Sequence, residues 1–449
     1  MNNIHKFQLN DKNIILDVNS GAVHVVDDII WDMVDLYKNM TLEDIVDTLT
    51  GRYSTEDLKD AYEEIKDLAN NGLLYTEDIY EKYVDPNAQN IVKALCLHIA
   101  HDCNLQCKYC FASQGNYKGK SELMSFEVGK RSLEFLIENS GSRRNLEVDF
   151  FGGEPLMNFD VVKKLVKYGR ELEKKYDKNF RFTLTTNGVL LDDDKMDFIN
   201  EHMHNVVLSL DGRKEVNDNM RKTLDNKGSY DIIVPKFKKF IKKRGDKDYF
   251  VRGTFTSENL EFSKDVLHYR DLGFEVTSME PVVADPKYSY SIKEEHLDTI
   301  FKEYEKLSKE YIDIKKKGEN FSFYHFVIDL TQGSCILRRV SGCGAGSYYM
   351  AVTPKGDLYP CHQFVDHEEF KMGDVFKGVI NDEVREEFKR ANIYTKEECK
   401  GCWARFYCSG GCHANAYNSN GNILKPDNIA CEMEKKRIEC AISVVANLD

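Results

Sequence analysis

The chain has 449 residues, 42% hydrophobic and 31% charged, enough for two or three globular domains with a substantial core. No apolar run approaches the roughly 20 residues of a membrane span, and the polar stretch 1–13 has no apolar signal core, which argues against membrane insertion and secretion and for a cytoplasmic protein. The net charge is −13, and residues 1–85 alone hold 7 Lys and Arg against 19 Asp and Glu; such a surface repels phosphate backbones, so nucleic acid is excluded as a partner and a basic peptide suits it better.

Residues 1–85 read as a small separate domain. Ile14, Leu16 and Val18 alternate, Asn19-Ser20-Gly21 turns, and Val23 and Val25 alternate again, which predicts a hairpin. Trp31, Val34 and Tyr37 have helical spacing. Thr41 to Asp44 resembles a capping box opening a second helix. Ser54 caps a third, with Leu58, Tyr62, Ile65 and Leu68 on one face. Two strands and three helices suggest a compact winged-helix module, joined to the rest by a linker over 83–87.

From residue 92 to about 320, strands and helices alternate. Candidate strands are Ala94–Ala100, Leu146–Phe150, Phe180–Thr185, Val206–Leu210, Phe250–Thr256 and Glu275–Met279. Helical stretches such as Phe126–Glu138, Val161–Tyr176 and Lys264–Leu272 lie between them. Six such units predict an α/β fold, a parallel sheet curved into a partial (β/α)6 TIM-like barrel with its chemistry at the C-terminal strand ends. Residues 333–449 form a third, loop-rich region.

The chain has thirteen cysteines, nine of them in that last region. In a cytosolic chain, clustered cysteines point to metal rather than disulfides. The first strand runs into Cys103, Cys107 and Cys110, spaced C-x3-C-x2-C. Three thiolates in one short loop can hold three corners of an iron–sulfur cube and leave its fourth iron open. A zinc knuckle is the competing reading, but structural zinc takes four protein ligands and no fourth lies nearby. Further along come Cys343, Cys361, Cys399, Cys402, Cys408, Cys412 and Cys431, spaced C-x12-G-x4-C and then C-x2-C-x5-C-x3-C with a distant last member. A pair of zinc-ribbon sites is the competing reading there. Cys96 and Cys440, in apolar patterns, read as buried structural thiols.

The first triplet, with Tyr109 before its last cysteine, resembles the radical S-adenosylmethionine superfamily. Phe151-Gly152-Gly153-Glu154-Pro155 is similar to that family's glycine motif, which implies that Gly152, Gly153 and Glu154 hold the methionine amino group. The resemblance also implies cofactor contacts from Asn187, Ser209 and Asp211 at the next two strand ends, and a carboxylate partner in Arg221 or Arg252. The seven later cysteines resemble the SPASM domain. That implies two auxiliary [4Fe–4S] clusters, one on Cys343, Cys361 and Cys412, the other on Cys399, Cys402, Cys408 and Cys431. Cys335 either closes the first of these or leaves an iron open for a substrate thiolate; the open cluster is the reading preferred here.

The whole chain resembles the thioether-forming maturases of ribosomal peptides, nearest to those of small Cys-rich SCIFF peptides. The resemblance implies S-adenosylmethionine, three [4Fe–4S] clusters and an electron donor such as flavodoxin or ferredoxin. It implies that the acidic module recognises the leader of a precursor peptide, which adds as a strand along 23–26. A thioether would then join a peptide Cys sulfur to a carbon of an acceptor residue. A carbon–carbon crosslinker or sulfatase-type maturase fits the same cysteine motifs, and a zinc-stabilised peptide-binding protein is the non-enzymatic alternative.

Overall fold

The computed structural model describes residues 3–84, 90–117, 119, 121–330 and 336–448. Cys335 lies outside the described residues.

The first strands are β1 (Ile4–Leu9), β2 (Lys12–Asp17) and β3 (Val23–Val26), an antiparallel meander in that order. Three helices follow: α1 (Asp28–Met33), α2 (Leu42–Leu49) and α3 (Thr55–Asn70), the last two opened by Thr41 and Ser54 as expected. The sequence reading lacks β1, because its buried Ile4 and Phe7 are three apart and give no period-two signal. The helix expected through Tyr37 stops being regular at Met33.

Sheet β2 is buried on both faces. Ile15 packs under the module's own helices with Ile30, Ile45 and Leu58. Ile14 and Leu16, with Phe7 of β1, pack instead against Ala404, Ile438 and Ile442 of the C-terminal region. The module is therefore not a free appendage. Arg405 Nη2 donates to Asn19 Oδ1 at 2.7 Å inside this contact, and the Trp403 ring stacks on His5 with centroids 3.7 Å apart.

The central sheet begins with β4 (Ala94–His101), followed by β5 (Leu105–Cys107), β6 (Glu122–Leu123) and α4 (Phe126–Glu138). Then come β7 (Asn145–Gly152), α5 (Phe159–Tyr176), β8 (Asn179–Thr186), α6 (Asp193–His202) and β9 (Asn205–Ser209). After α7 (Lys214–Met220) and β10 (Arg221–Thr223) follow α8 (Tyr230–Arg244), β11 (Phe250–Phe255), α9 (Phe262–Asp271), β12 (Val276–Pro281), α10 (Leu297–Lys316) and β13 (Ser322–Phe323). Strands β4, β7, β8, β9, β11 and β12 pair in parallel in that order, and the fold is α/β with a mostly parallel sheet. All six expected strands are present, with ends moved by one or two residues.

The sheet does not stop at β4. Beyond α11 (Ile336–Ser341), strand β14 (Tyr349–Val352) adds in parallel to the free side of β4, with Tyr349 opposite Ala94. Strands β15 (Asp357–Tyr359), β16 (Gly373–Asp374) and β17 (Gly378–Val379) continue antiparallel. This addition covers a strand buried along its whole length, whose backbone would otherwise be an unpaired edge. Helices α12 (Asp382–Arg390), α13 (Glu397–Lys400), α14 (Arg405–Cys408), α15 (His413–Asn420) and α16 (Asn428–Ala446) complete the chain. Helix α16 packs along α10, with Lys436 Nζ 3.0 Å from Glu305. Among the described residues no helix is long and apolar enough to cross a membrane.

Candidate active site

Strand β4 delivers the chain to Asp102, whose Oδ1 accepts from Cys103 N at 2.9 Å. The cysteine loop is then held from outside, because β5 pairs antiparallel with β10 and sets Arg221 opposite Cys107. Arg221 Nη1 donates to the Tyr109 hydroxyl at 2.9 Å, and that hydroxyl donates to Asp211 at 2.7 Å. Asp211 is fully buried and also accepts from Thr254 N. Burial raises its pKa, which the Arg221 charge opposes. Arg221 Nε is buried and, among the described residues, has no hydrogen-bond partner.

The two glycines after β7 are required by this loop. A Cβ on Gly152, whose φ is +125°, would stand 2.3 Å from Ala100 O, and one on Gly153 would stand 2.1 Å from Asp102 O. The close approach they permit is thus to the end of β4 and to the backbone that enters the cysteine loop. Glu154 is fully buried behind the cavity wall. Its carboxylate accepts from Leu156 N at 3.0 Å, Thr186 Oγ1 at 2.8 Å and Asn187 N at 2.8 Å, tying the end of β7 to the end of β8. Burial pushes its pKa up to about 7 against those hydrogen bonds. Asn187, so positioned, donates to Asn104 Oδ1 at 2.8 Å and lies 3.7 Å from Cys103 Sγ. Replacing Glu154 by Ala leaves three buried donors unmatched at about 1 kcal/mol or more each, so stability should fall by roughly 3 kcal/mol or more, with Glu154→Gln losing less; urea midpoints check this.

The thiols fall into three electrostatically coupled sets. Cys103 senses Cys107 and Cys110. Cys361 senses Cys343 and Cys412. Cys431 senses Cys399 and Cys402, and Cys408 senses all three. Burial raises the Cys103 thiol to about 12 and the Cys107 thiol to about 11, Arg221 opposing the latter. These thiols stay protonated at neutral pH until a metal displaces the protons.

One cavity of about 700 Å3 joins the sets, since Cys103, Cys107, Cys110, Cys343, Cys361, Cys408, Cys412 and Cys431 all line it. Tyr109, Gly152, Gly153, Asn187, Ser209, Arg221 and Arg252 are also on its wall, whereas Glu154 and Asp211 stand behind it. Three thiols in one loop beside a guanidinium with a buried, unused Nε fit a cluster with an open iron and an anionic ligand.

Sequence reasoning missed the far wall. Glu280 on β12 lies 3.1 Å from His325 Nε2, 3.8 Å from Arg437 of α16 and 3.9 Å from Arg252. Burial opposes its ionisation, but His325 and the two guanidinium groups outweigh that and hold the carboxyl well below its usual range. The available signal was a carboxylate at the end of the sixth strand. Phe111, Phe151 and His362 form an aromatic wall, with His362 centroids 5.4 and 5.1 Å from the two Phe rings.

Residues 97–255 match the family model of the radical SAM superfamily, and residues 343–403 match that of SPASM, an iron–sulfur cluster-binding domain. The chain is 27% identical over 369 residues to the cysteine-type anaerobic sulfatase-maturating enzyme of Clostridium novyi, covering 76% of this chain and 93% of that one. In fold it resembles native anSMEcpe with bound AdoMet, with a TM-score of 0.66 and 23% identity over 79% of this chain and 98% of that one. It also resembles Streptococcus suis SuiB bound to its precursor peptide SuiA, with a TM-score of 0.55 and 17% identity over 95% of this chain and 98% of that one. The chain therefore combines a radical SAM domain with a SPASM domain and is homologous to anaerobic sulfatase maturases and peptide maturases.

Proposed function

We propose that this radical SAM enzyme forms a thioether between a Cys sulfur and an acceptor carbon of a leader-bearing ribosomal peptide. The observation that carries the reading is the single cavity onto which all three thiol sets open. We assign Cys103, Cys107 and Cys110 to the radical cluster, Cys343, Cys361 and Cys412 to the first auxiliary cluster, and Cys399, Cys402, Cys408 and Cys431 to the second. A cluster held on the first three thiols would, with S-adenosylmethionine bound, supply one-electron reductive chemistry at the cofactor's sulfonium.

The chain's own residues do the positioning. Tyr109 and Asp211 fix Arg221 on the cavity wall, where its guanidinium would serve the cofactor carboxylate. Ser209 and Asn187 line the cavity and would offer polar contacts to the cofactor. Phe111, Phe151 and His362 shield the reacting space between the first and second thiol sets. The peptide reaches this cavity from the acidic module. There β3 is an edge strand with one side unpaired among the described residues, and Val25 is exposed on it, so a basic leader adds as a fourth strand. A fifth of this chain has no counterpart in anSMEcpe, whereas the peptide-bound SuiB structure covers 95% of it, which supports a leader-dependent enzyme.

Anaerobic turnover with a Cys-containing precursor tests the reading. The product should be lighter by two hydrogens, with one sulfur resistant to alkylation. A lighter product whose thiols all alkylate would move the assignment to a carbon–carbon crosslink. Turnover of a sulfatase-derived peptide instead would move it to a sulfatase-type maturase.

A further inference from the structure

One ligand of each auxiliary set is joined by a three-residue bridge, Cys408-Ser409-Gly410-Gly411-Cys412. All three bridging residues are left-handed, with φ of +61°, +88° and +72°. Neither a helix nor a strand ladder can hold such a run, and its Ser member is in a conformation that L-residues disfavour. Both glycines are on the cavity wall between the sets.

Behind the bridge stands Lys396, a lysine only 1% exposed. Its Nζ donates to Gly410 O at 2.7 Å and lies 3.4 Å from His413 Nδ1. Among the described residues no carboxylate forms an ion pair with it. Burial lowers its pKa, a shift that Cys399, Cys408, Cys412 and Cys431 oppose. The carbonyl it holds, Gly410 O, stands two residues from Cys408 of one set and two from Cys412 of the other, so thiolates ligating a cluster on either side would supply the missing counter-charge.

We infer that Lys396 is the shared counter-cation of the two auxiliary thiolate sets, pinning the Cys408–Cys412 bridge and raising the reduction potential of the clusters held on either side of it. A fixed positive charge in a low-dielectric wall favours the reduced, more negative state of a nearby cluster. Lys396 is thus a positioning and tuning residue, which draws the surplus electron of the reaction toward the auxiliary sites. The inference rests on the assignment of these thiols as cluster ligands. That assignment is tested separately by the iron content of protein with Lys396 intact.

The test uses the full chain with Cys103, Cys107 and Cys110 replaced by Ala, so that only auxiliary clusters contribute. With Lys396 intact it should hold about eight irons for two cubanes; fewer would count against the ligand assignment rather than the lysine. Redox titration followed by electron paramagnetic resonance then compares Lys396→Met, Lys396→Gln and Lys396→Arg. The expected result is a tenfold or larger shift toward the oxidised form in the Met or Gln variant, about 59 mV for a one-electron couple, with Arg near the parent. Loss of auxiliary iron from both uncharged variants but not from Arg also supports the cation. Unchanged potentials in an iron-replete Met or Gln variant, or loss of iron from Arg as well, overturn it.

Discussion

A Cys103→Ala protein is expected to form no 5′-deoxyadenosine above background, a loss of 10³-fold or more, or about 4 kcal/mol in the barrel's catalytic step. Iron should fall from about twelve per chain to about eight, because one cubane loses a ligand it cannot spare. The fold should survive. The loop is held by the β5–β10 pairing, by Asp102 on Cys103 N and by the glycine contacts of Gly152 and Gly153, none of which uses the Cys103 sulfur. An unchanged circular dichroism spectrum with persistent 5′-deoxyadenosine formation would refute the assignment of the triad. A colourless, zinc-loaded wild-type protein would refute the iron reading as a whole.

Leu16→Ala is expected to unseat the N-terminal module from the C-terminal region at a cost of about 2–5 kcal/mol. Leu16 is fully buried, and it faces Ile438, Ile442 and Ala404 rather than the module's own helices. The chain has only two tryptophans, and one of them, Trp403, stacks on His5 in this contact. Its fluorescence in the metal-free protein should therefore report the separation, with a lower urea midpoint and a red shift. Ile15→Ala should instead loosen the module internally, since Ile15 lies under α1 and α3 with Ile30 and Leu58. Equal Trp403 responses in the two variants would show that the module and the C-terminal region do not share this core. The same packing warns against testing leader binding by removing residues 1–80, which would strip the cover from Ile438 and Ile442.

The barrel was legible because its code is local. Six apolar strand runs, each followed by a helical period, specify strands and helices within a dozen residues. The C-x3-C-x2-C and C-x2-C-x5-C-x3-C spacings specify which thiols can meet within one loop. Spacing alone groups Cys412 with Cys399, Cys402 and Cys408; placing it with Cys343 and Cys361 is what the resemblance to SPASM implies. Cys361 and Cys343 required more than spacing, and the resemblance to SPASM supplied it.

What only the tertiary structure decided lies where an element has two faces or two sides, since sequence period shows that a face is buried but not against what. Strand β2 alternates as a hairpin should, yet its second face is covered by α16 and the Cys402–Cys408 loop, so the module is built into the C-terminal region. Strand β4 reads as the start of a sheet, but β14, some 250 residues later, pairs with its open side. Glycines 152 and 153 read as a ligand cradle, and the fold adds a second demand: a side chain there would strike Ala100 O of β4 and Asp102 O at the start of the cysteine loop. Glu154 reads as a ligand contact, while its hydrogen bonds are spent joining two strand ends. Lys396 has no motif at all. Its proposed role comes from its burial and from its bond to Gly410 of the Cys408–Cys412 bridge, which only the folded chain brings to it.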